Sequence, residues 1–298
     1  MKLLIIGGSG VIGSYLVKHF TDKGIDVEFT YLKNNLIDGK CSHKLDITCH
    51  DSTVNLISKI NPDVVIHSVA LTNVDECEQN HSLADSLHVD GTSNIIKGCK
   101  LCNSKIVYVS TSFVFDGTKD IYHEDDVGSP STYYGLTKLQ GEELITKSGL
   151  DYLIVRTDQP YCWSESWQHT NSVLRVLDNI KSRNIHREIS DWYNTPTYVP
   201  DFVTSLSRLL DDNQQGIYHL VGSDYISRIE WALLTAEIFN FDKNMIESIN
   251  SQSLHLLVKR GNVHISNEKL YRDTGIKMVG VKDGLLKMKD VELVNYEK

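Results

Sequence analysis

An unbroken apolar strand, Leu3–Ile6, runs directly into Gly7-Gly8-Ser9-Gly10-Val11-Ile12-Gly13, and this junction constrains the fold more than any other feature of the chain. The run satisfies both the GxxGxxG and the GxGxxG spacing. In either reading one glycine makes a tight turn, another lets backbone N–H groups approach a pyrophosphate, and Gly13 lets the following helix pack close to the strand. The helix N-terminus then faces the anion. Gly7, Gly10, Val11, Ile12 and Gly13 are therefore the expected phosphate-side contacts of a dinucleotide. The plain alternative is a tight strand-to-helix turn that holds no ligand. Its place straight after a buried strand favours the binding loop.

The rest of the first half repeats the same rhythm. Leu3–Ile6, Val27–Tyr31, Val64–His67, Ile106–Ser110 and Tyr152–Val155 read as strands. Val11–Thr21, Ser52–Ile60, Ser82–Cys102 and Tyr133–Lys147 carry helical spacing between them, with Asp51 or Ser52 as the expected cap of the second. Gly24 and Gly149 close two of these helices. Strands alternating with helices mean parallel βαβ units, and uninterrupted apolar strands mean a sheet covered on both faces. The expected fold is therefore α/β: an NAD(P)-binding Rossmann fold with a doubly wound parallel sheet over residues 1–160.

Beyond Arg156 the pattern loosens. An aromatic-rich loop spans Tyr161 to His169, a helix is expected over Asn171–Ser182, Pro196 and Pro200 bracket a loop, and a further helix follows over Asp201–Leu210. Gly216–Leu220 reads as a late strand returning to the main sheet. Residues 161–298 are thus expected to form mainly a smaller, interleaved C-terminal α/β substrate domain.

Composition removes several function classes. Thirty Lys and Arg against 39 Asp and Glu give a formal net charge of −9, so no basic field exists to hold nucleic acid. The longest early apolar run is far short of the roughly 20 residues a membrane span needs. Neither a membrane partner nor a signal peptide is expected. Six cysteines without framework spacing fit reduced thiols in the cytoplasm. Cys99-x-x-Cys102 lacks a second pair of ligands, so no metal is expected.

Cofactor choice is read at the end of the second strand, where folds that bind NAD usually carry an acidic residue on the ribose hydroxyls. Here the strand ends Thr30-Tyr31-Leu32-Lys33, with Glu28 too early. Lys33 can meet a 2′-phosphate as a point charge. NADP is therefore the expected cofactor, with NADPH preferred over NADH, unless Lys33 is only a solvated loop lysine. Asp46 is placed either to bond the adenine amino group or to cap a helix.

Tyr134 and Lys138 lie at i and i+4, one helical turn apart on one face. Such a pair is a proton donor and its tuner: the ammonium lowers the phenol's pKa and bonds the nicotinamide ribose, so that the phenol protonates a carbonyl oxygen at neutral pH. The strand Ile106–Ser110 ends in Ser110-Thr111-Ser112, at the sheet edge where open α/β folds bind ligands. Thr111 can share the substrate oxygen with Tyr134.

Together these segments resemble the extended short-chain dehydrogenase/reductases, and within them the dTDP-4-dehydrorhamnose reductase (RmlD-like) family. Gly7–Gly13 resembles the family's cofactor loop, Ser110–Gly117 the strand end with its catalytic threonine, and Pro130–Glu142 its catalytic helix. Leu71–Glu78 resembles the loop bordering the substrate, Asp191–Asp201 the Pro-Thr segment, and Gly216–Leu220 with Ser227-Arg228 the returning strand and helix start. The resemblance implies a cytoplasmic oxidoreductase that reduces a nucleotide-linked 4-keto-6-deoxy sugar, most simply dTDP-4-dehydrorhamnose, with Thr111, Tyr134 and Lys138 catalytic. It adds Ala70 and the Tyr134–Lys138 pair to the cofactor contacts, and Thr72, Val74, Ser112, Phe113 and Gln159 as substrate contacts. A homodimer is compatible with it.

The chain also departs from the family. Ser112 and Phe113 stand where an aspartate and a tyrosine are usual, and Thr157-Asp-Gln-Pro-Tyr161 replaces a run whose tryptophan lies against the sugar, leaving Gln159 at that place. Trp163, Trp167, His169 and Asn171, and likewise Asp191, Trp192 and Asn194, either line the nucleotide-sugar pocket or tie the two lobes together. Arg175 or Arg260 is the expected partner of a diphosphate. Two alternatives stay open: a non-catalytic NADP-binding regulatory subunit resembling that of methionine adenosyltransferase, and a reductase of a UDP- or GDP-linked keto sugar.

Overall fold

The computed structural model describes residues 1–35 and 41–296. Seven strands form one parallel sheet: β1 (Lys2–Ile6), β2 (Asp26–Tyr31), β3 (Ser42–Lys44), β4 (Val64–His67), β5 (Lys105–Thr111), β6 (Tyr152–Thr157) and β11 (Gly216–His219). Their order is β11-β6-β5-β4-β1-β2-β3, and every neighbouring pair is parallel. This is a doubly wound sheet whose strand order reverses between β1 and β4, the crevice where open α/β folds take ligands. Gly216–His219 does return beside β6, as its apolar pattern implied.

The unbroken apolar runs have a direct cause. Leu3 and Ile5 enter the core beneath α1 (Val11–Asp22), while Leu4 and Ile6 enter the core on the opposite face, beneath α2 (His50–Ile60). Val64, Ile66, Val107 and Val109 repeat the first face; Val65, Ile106 and Tyr108 repeat the second. Alternate side chains point to opposite faces, so a strand covered on both must be apolar at every position.

The crossover after β4 holds α3 (Val74–Gln79), α4 (His81–Asp85), a π-helical turn over Ser86–Asp90, and α5 (Gly91–Cys102). The single helix expected over Ser82–Cys102 is therefore one axis widened by a π turn. After α6 (Tyr133–Thr146) and β6, the chain adds α7 (Ser172–Lys181), α8 (Val199–Asp211), α9 (Arg228–Ile238), α10 (Glu268–Thr274) and α11 (Val281–Tyr296). Three two-stranded sheets accompany these helices: β7 (Pro160–Tyr161) with β10 (Thr197–Tyr198), β8 (His186–Ile189) with β13 (Ile246–Ile249), and β9 (Tyr193–Asn194) with β12 (Ile226–Ser227).

Two boundaries differ from the sequence expectation. Neither Asp51 nor Ser52 caps α2; Cys49 occupies that place and both lie in the first turn. The Asp46 carboxylate binds the Thr48 N–H at 3.0 Å and its hydroxyl at 2.7 Å, and that turn starts the helix two residues early. Pro200 sits inside the first turn of α8 and not in a loop, where its missing N–H costs nothing.

At the glycine junction the backbone leaves no freedom. Gly7 has φ +88°, and its carbonyl accepts from Gly10 N at 3.0 Å. A Cβ on Gly13 would stand 2.1 Å from that same carbonyl oxygen and 2.9 Å from Gly8 Cα. Gly24 contrasts with it: φ is +72°, yet nothing lies within 4 Å of an added Cβ. Gly13→Ala is expected to cost about 1–3 kcal/mol or more through overpacking against backbone and to abolish dinucleotide binding. Gly24→Ala should cost only the left-handed strain of about 1 kcal/mol and leave binding intact. Urea unfolding and cofactor titration of the two variants check this.

Candidate active site

α6 is built to meet β5 closely. Thr132 caps it through Gly135 N at 3.0 Å. A Cβ at Gly135 would lie 2.0 Å from the Phe113 carbonyl, and one at Gly141 would lie 2.5 Å from the Tyr108 hydroxyl. Both glycines are close-approach positions, and they bring one face of the helix onto the strand end. Tyr134, Lys138 and Glu142 are spaced i, i+4 and i+8 on that face.

Glu142 anchors the stripe. Its carboxylate takes Arg156 Nη2 at 2.7 Å and Nε at 3.0 Å, in a pair whose side chains are each 3% exposed, and accepts the Ser110 hydroxyl at 2.5 Å. One turn earlier, Lys138 Nζ donates to the Val109 carbonyl at 2.8 Å and sits 3.9 Å over the Tyr108 ring. Burial lowers its pKa to about 7 while Glu142 pulls it upward. Tyr134 lies beside Thr111, the last residue of β5, and edge-on to Phe113 at 5.7 Å. Burial raises the phenol to about 12, and its hydrogen bond with Thr111 opposes that rise.

The expected lowering of the Tyr134 pKa by Lys138 is thus corrected. Desolvation of the phenol dominates, and the same desolvation drives the lysine toward neutrality.

The structure brings Thr111, Ser112, Phe113, Tyr134, Lys138 and Val74 together. Val74 shares a small core with Tyr134, while Thr72 is exposed on the same loop as Ala70. The glycine loop lies at the end of β1, two strands away across β4, where Gly7 N donates to the Thr30 hydroxyl at 3.0 Å. No side chain among the described residues caps α1, so its first N–H groups remain available to an anion. With Gly13 letting the helix start lie against the Gly7 turn, this backbone fits a dinucleotide pyrophosphate. Tyr31 ends β2, with exposed Lys33 just after it, whereas Asp46 is engaged by Thr48. Glu28 is paired with Lys2 at 2.7 Å and His43 at 2.6 Å.

Other candidates separate. Gln159 takes a left-handed backbone, φ +39°, and its amide oxygen accepts from Arg228 Nη1 at 3.1 Å. Arg228 is itself held by Glu188 at 3.1 Å, and Arg175 lies 3.6 Å from the same carboxylate. Trp163 binds the Met288 carbonyl at 2.7 Å and packs into the core around Tyr161, and Asn171 caps α7. Those two tie segments together. Trp167 is 45% exposed. Trp192 lies between Arg228 and Arg260, whose guanidiniums are 5.4 and 5.2 Å from its ring, and Arg260 pairs with Asp75 at 2.7 Å.

Sequence reasoning missed His88. The π turn aims its ring between the Leu71 N–H, 2.9 Å from Nε2, and the Thr137 hydroxyl, 2.7 Å from Nδ1. The ring therefore ties the loop after β4 to α6, and burial lowers its pKa to about 3, keeping it neutral. Asp158 was missed as well: 3% exposed, it accepts from Ser112 Oγ at 2.9 Å and Thr195 N at 2.8 Å. A carboxylate directly following a buried strand was the available signal.

The RmlD substrate binding domain matches residues 1–292 of the chain. A dTDP-4-dehydrorhamnose reductase of Aggregatibacter actinomycetemcomitans is 30% identical over 243 residues, covering 78% of this chain and 77% of that protein. Methionine adenosyltransferase 2 subunit beta of Bos taurus is 26% identical over 263 residues, covering 83% and 75%. Among solved structures, the dTDP-4-dehydrorhamnose reductase of Bacillus anthracis in complex with NADP superposes with TM-score 0.86 at 25% identity, over 97% of this chain and 99% of that one. A Thermus thermophilus UDP-glucose 4-epimerase complexed with NAD reaches the same TM-score at 18% identity, over 97% and 98%, and so shares the fold. No helix among the described residues is long and apolar enough to cross a membrane.

Removing one partner of a buried ion pair typically costs about 3–5 kcal/mol, because the other charge is left uncompensated. Glu142→Gln should therefore destabilise the chain by roughly that amount, measured by denaturant unfolding. Arg156→Met with Glu142→Leu should recover most of it.

Proposed function

The chain belongs to the RmlD substrate-binding family, and from that premise we propose an NADPH-dependent reductase that converts dTDP-4-dehydrorhamnose to dTDP-rhamnose. The observation that carries this reading is the meeting of Thr111, Tyr134 and Lys138 at the carboxyl edge of the sheet, beside the glycine loop. Gly7, Gly10, Val11, Ile12, Gly13 and Ala70 line the cofactor's phosphate and nicotinamide side; Tyr31, Lys33 and Asp46 border its adenosine end. Thr72, Val74, Ser112, Phe113 and Gln159 border the sugar, and Arg260 the diphosphate.

When bound, the dinucleotide supplies the hydride that reduces C4 of the sugar. Tyr134 donates its phenolic proton to the C4 oxygen, so the ketone becomes an alcohol with charge balanced. Thr111 orients that oxygen through the hydroxyl already shared with Tyr134. Lys138, whose ammonium donates to the Val109 carbonyl one turn from Tyr134, would bond the nicotinamide ribose. Excluding water from this buried face strengthens each of these hydrogen bonds.

A second reading is favoured by the similarity to methionine adenosyltransferase 2 subunit beta: a non-catalytic, NADP-binding regulatory partner. Copurification of a methionine adenosyltransferase catalytic subunit, with no NADPH consumption on any keto-sugar nucleotide, would favour it. NADPH oxidation screened against dTDP-, UDP- and GDP-4-keto-6-deoxy sugars, with product stereochemistry read by NMR, tests the reductase and identifies its carrier.

Tyr134→Phe should lower kcat by about a hundredfold or more with NADPH affinity nearly unchanged, since general acid catalysis contributes roughly 10²–10⁴-fold. Near-normal turnover would sink the assignment. The unmodified protein should bind NADPH more tightly than NADH, and Lys33→Ala should narrow the gap by roughly tenfold or less, the worth of one exposed charge contact. Tighter NADH binding by the unmodified protein would overturn that preference.

A further inference from the structure

Among the described residues, eight buried side-chain nitrogen or oxygen atoms have no hydrogen-bond partner, and five of them belong to Asp75, Trp192, Asn194, Thr195 and Arg260. These five lie in one neighbourhood. Arg260 pairs with Asp75 and faces the Trp192 ring, and two residues further along Asn194 and Thr195 both reach Asp158. Buried polar groups are ordinarily satisfied, and one left alone costs about 1–3 kcal/mol. Most of them are thus concentrated at one buried surface, where polar groups of a ligand would complete the bonding.

The register of the sheet locates this surface. Thr111 pairs with Thr157 across β5 and β6, so Asp158 follows the residue opposite Thr111, level with Ser112. The Ser112 hydroxyl closes the connection at 2.9 Å. Asn194 donates its amide to the Asp158 carboxylate, which leaves Asn194 Oδ1 as a buried acceptor without a partner, and Thr195 uses its N–H on the same carboxylate, which leaves its hydroxyl unused. Asn194 and Thr195 are 3% and 2% exposed. Carboxylate, amide oxygen and hydroxyl all accept hydrogen bonds, and the complementary ligand is a set of hydroxyl groups.

We propose that Asp158, with Asn194 and Thr195, forms a hydroxyl-binding subsite that holds the sugar ring next to the carbonyl protonated by Tyr134 and selects substrates bearing a free hydroxyl beside that carbonyl. The subsite deepens the reductase reading and rests on it for the identity of the sugar. Asp158 is a specificity-determining residue here, separate from the proton donor. Its position suits the role: Thr195 and Ser112 fix both carboxylate oxygens, so the group is oriented before a ligand arrives. Burial raises its pKa to about 6, which places its charge within reach of titration.

The test compares two probes on the full chain loaded with NADP⁺: dTDP alone and dTDP-rhamnose, each titrated calorimetrically. Asp158→Asn keeps the shape, since its amide can donate to Ser112 Oγ while its oxygen still accepts from Thr195 N. That variant should weaken dTDP-rhamnose about tenfold, the worth of one good hydrogen bond to a charged group, and leave dTDP and NADP⁺ affinities unchanged. In steady state KM should rise by a similar factor with kcat within a fewfold. A pH series from 5 to 7 gives an independent readout. The groups facing Asp158 are Arg228 from α9, and Tyr134 and Tyr225, whose phenols burial raises. Dinucleotide-loaded wild type should therefore bind dTDP-rhamnose more weakly as pH falls through about 6, and Asp158→Asn should lose that dependence. Any residual change near pH 7, common to both proteins, belongs to Lys138.

Equal affinity of wild type and Asp158→Asn for dTDP-rhamnose overturns the proposal. So does an equal loss for dTDP and dTDP-rhamnose, which would make the residue a structural brace. Absence of turnover on every keto-sugar nucleotide, with the difference between the two probes intact, overturns the reductase reading and leaves the subsite standing.

Discussion

The helix α6 is fastened to the sheet by one buried charge pair. Glu142 and Arg156 meet at 2.7 Å with almost no solvent contact, and the neighbouring bonds extend outward from them. Ser110 joins from β5, His219 approaches Arg156 at 3.4 Å from β11, and the guanidinium lies 5.0 Å from the centre of the Phe115 ring. Glu124 completes the ring of contacts by accepting from His219 N. Two charges out of water are stable only when each finds partners in good geometry. That requirement fixes the rotation of α6 about its axis, because a helix turned by one residue would leave Glu142 or Arg156 alone. Tyr134 inherits its aim from a carboxylate two turns away.

The same packing explains the electrostatics. Gly135 and Gly141 remove the side chains that would hold α6 off β5, so Tyr134 and Lys138 lie where water does not reach. Desolvation raises the phenol to about 12 and lowers the ammonium to about 7, so their proton affinities, nearly equal in water, move apart. The π turn serves the same face from behind, since neutral His88 spans from the loop after β4 to Thr137 without adding a charge.

Much of this architecture was legible because it rests on local rules. Continuous apolar strands announce a sheet covered twice, and the glycine spacing announces the turn after β1; both follow from sterics within a few residues. Gly216–His219 was found by the same logic. What escaped depends on partners far along the chain. The cap of α2 was misplaced because Asp46, not Asp51 or Ser52, shapes its entry. Pro200 was read as punctuation although the first turn of a helix tolerates it. The pKa of Tyr134 could not follow from the i, i+4 spacing, which gives proximity but not burial. Asp158 was passed over because its partners, Ser112 and Thr195, are 46 and 37 residues away.

Two parts of the molecule therefore differ in their tolerance of change. Thr111, Tyr134 and Lys138 are held by backbone approaches that admit only glycine and by a buried ion pair that admits few substitutions. Asp158 and Gln159 stand instead on the connection between β6 and β7, facing Asn194 at the end of the two-residue β9, and Gln159 adopts a left-handed backbone that a side chain takes only with strain. Arg228, reaching from α9 to Gln159, Ser172 and Glu188, holds that connection in place from outside the main sheet. A change at residues 157–161 can therefore reshape that connection without moving Tyr134. On the reductase reading proposed above, this division lets the positions assigned to the sugar vary while Tyr134 stays fixed.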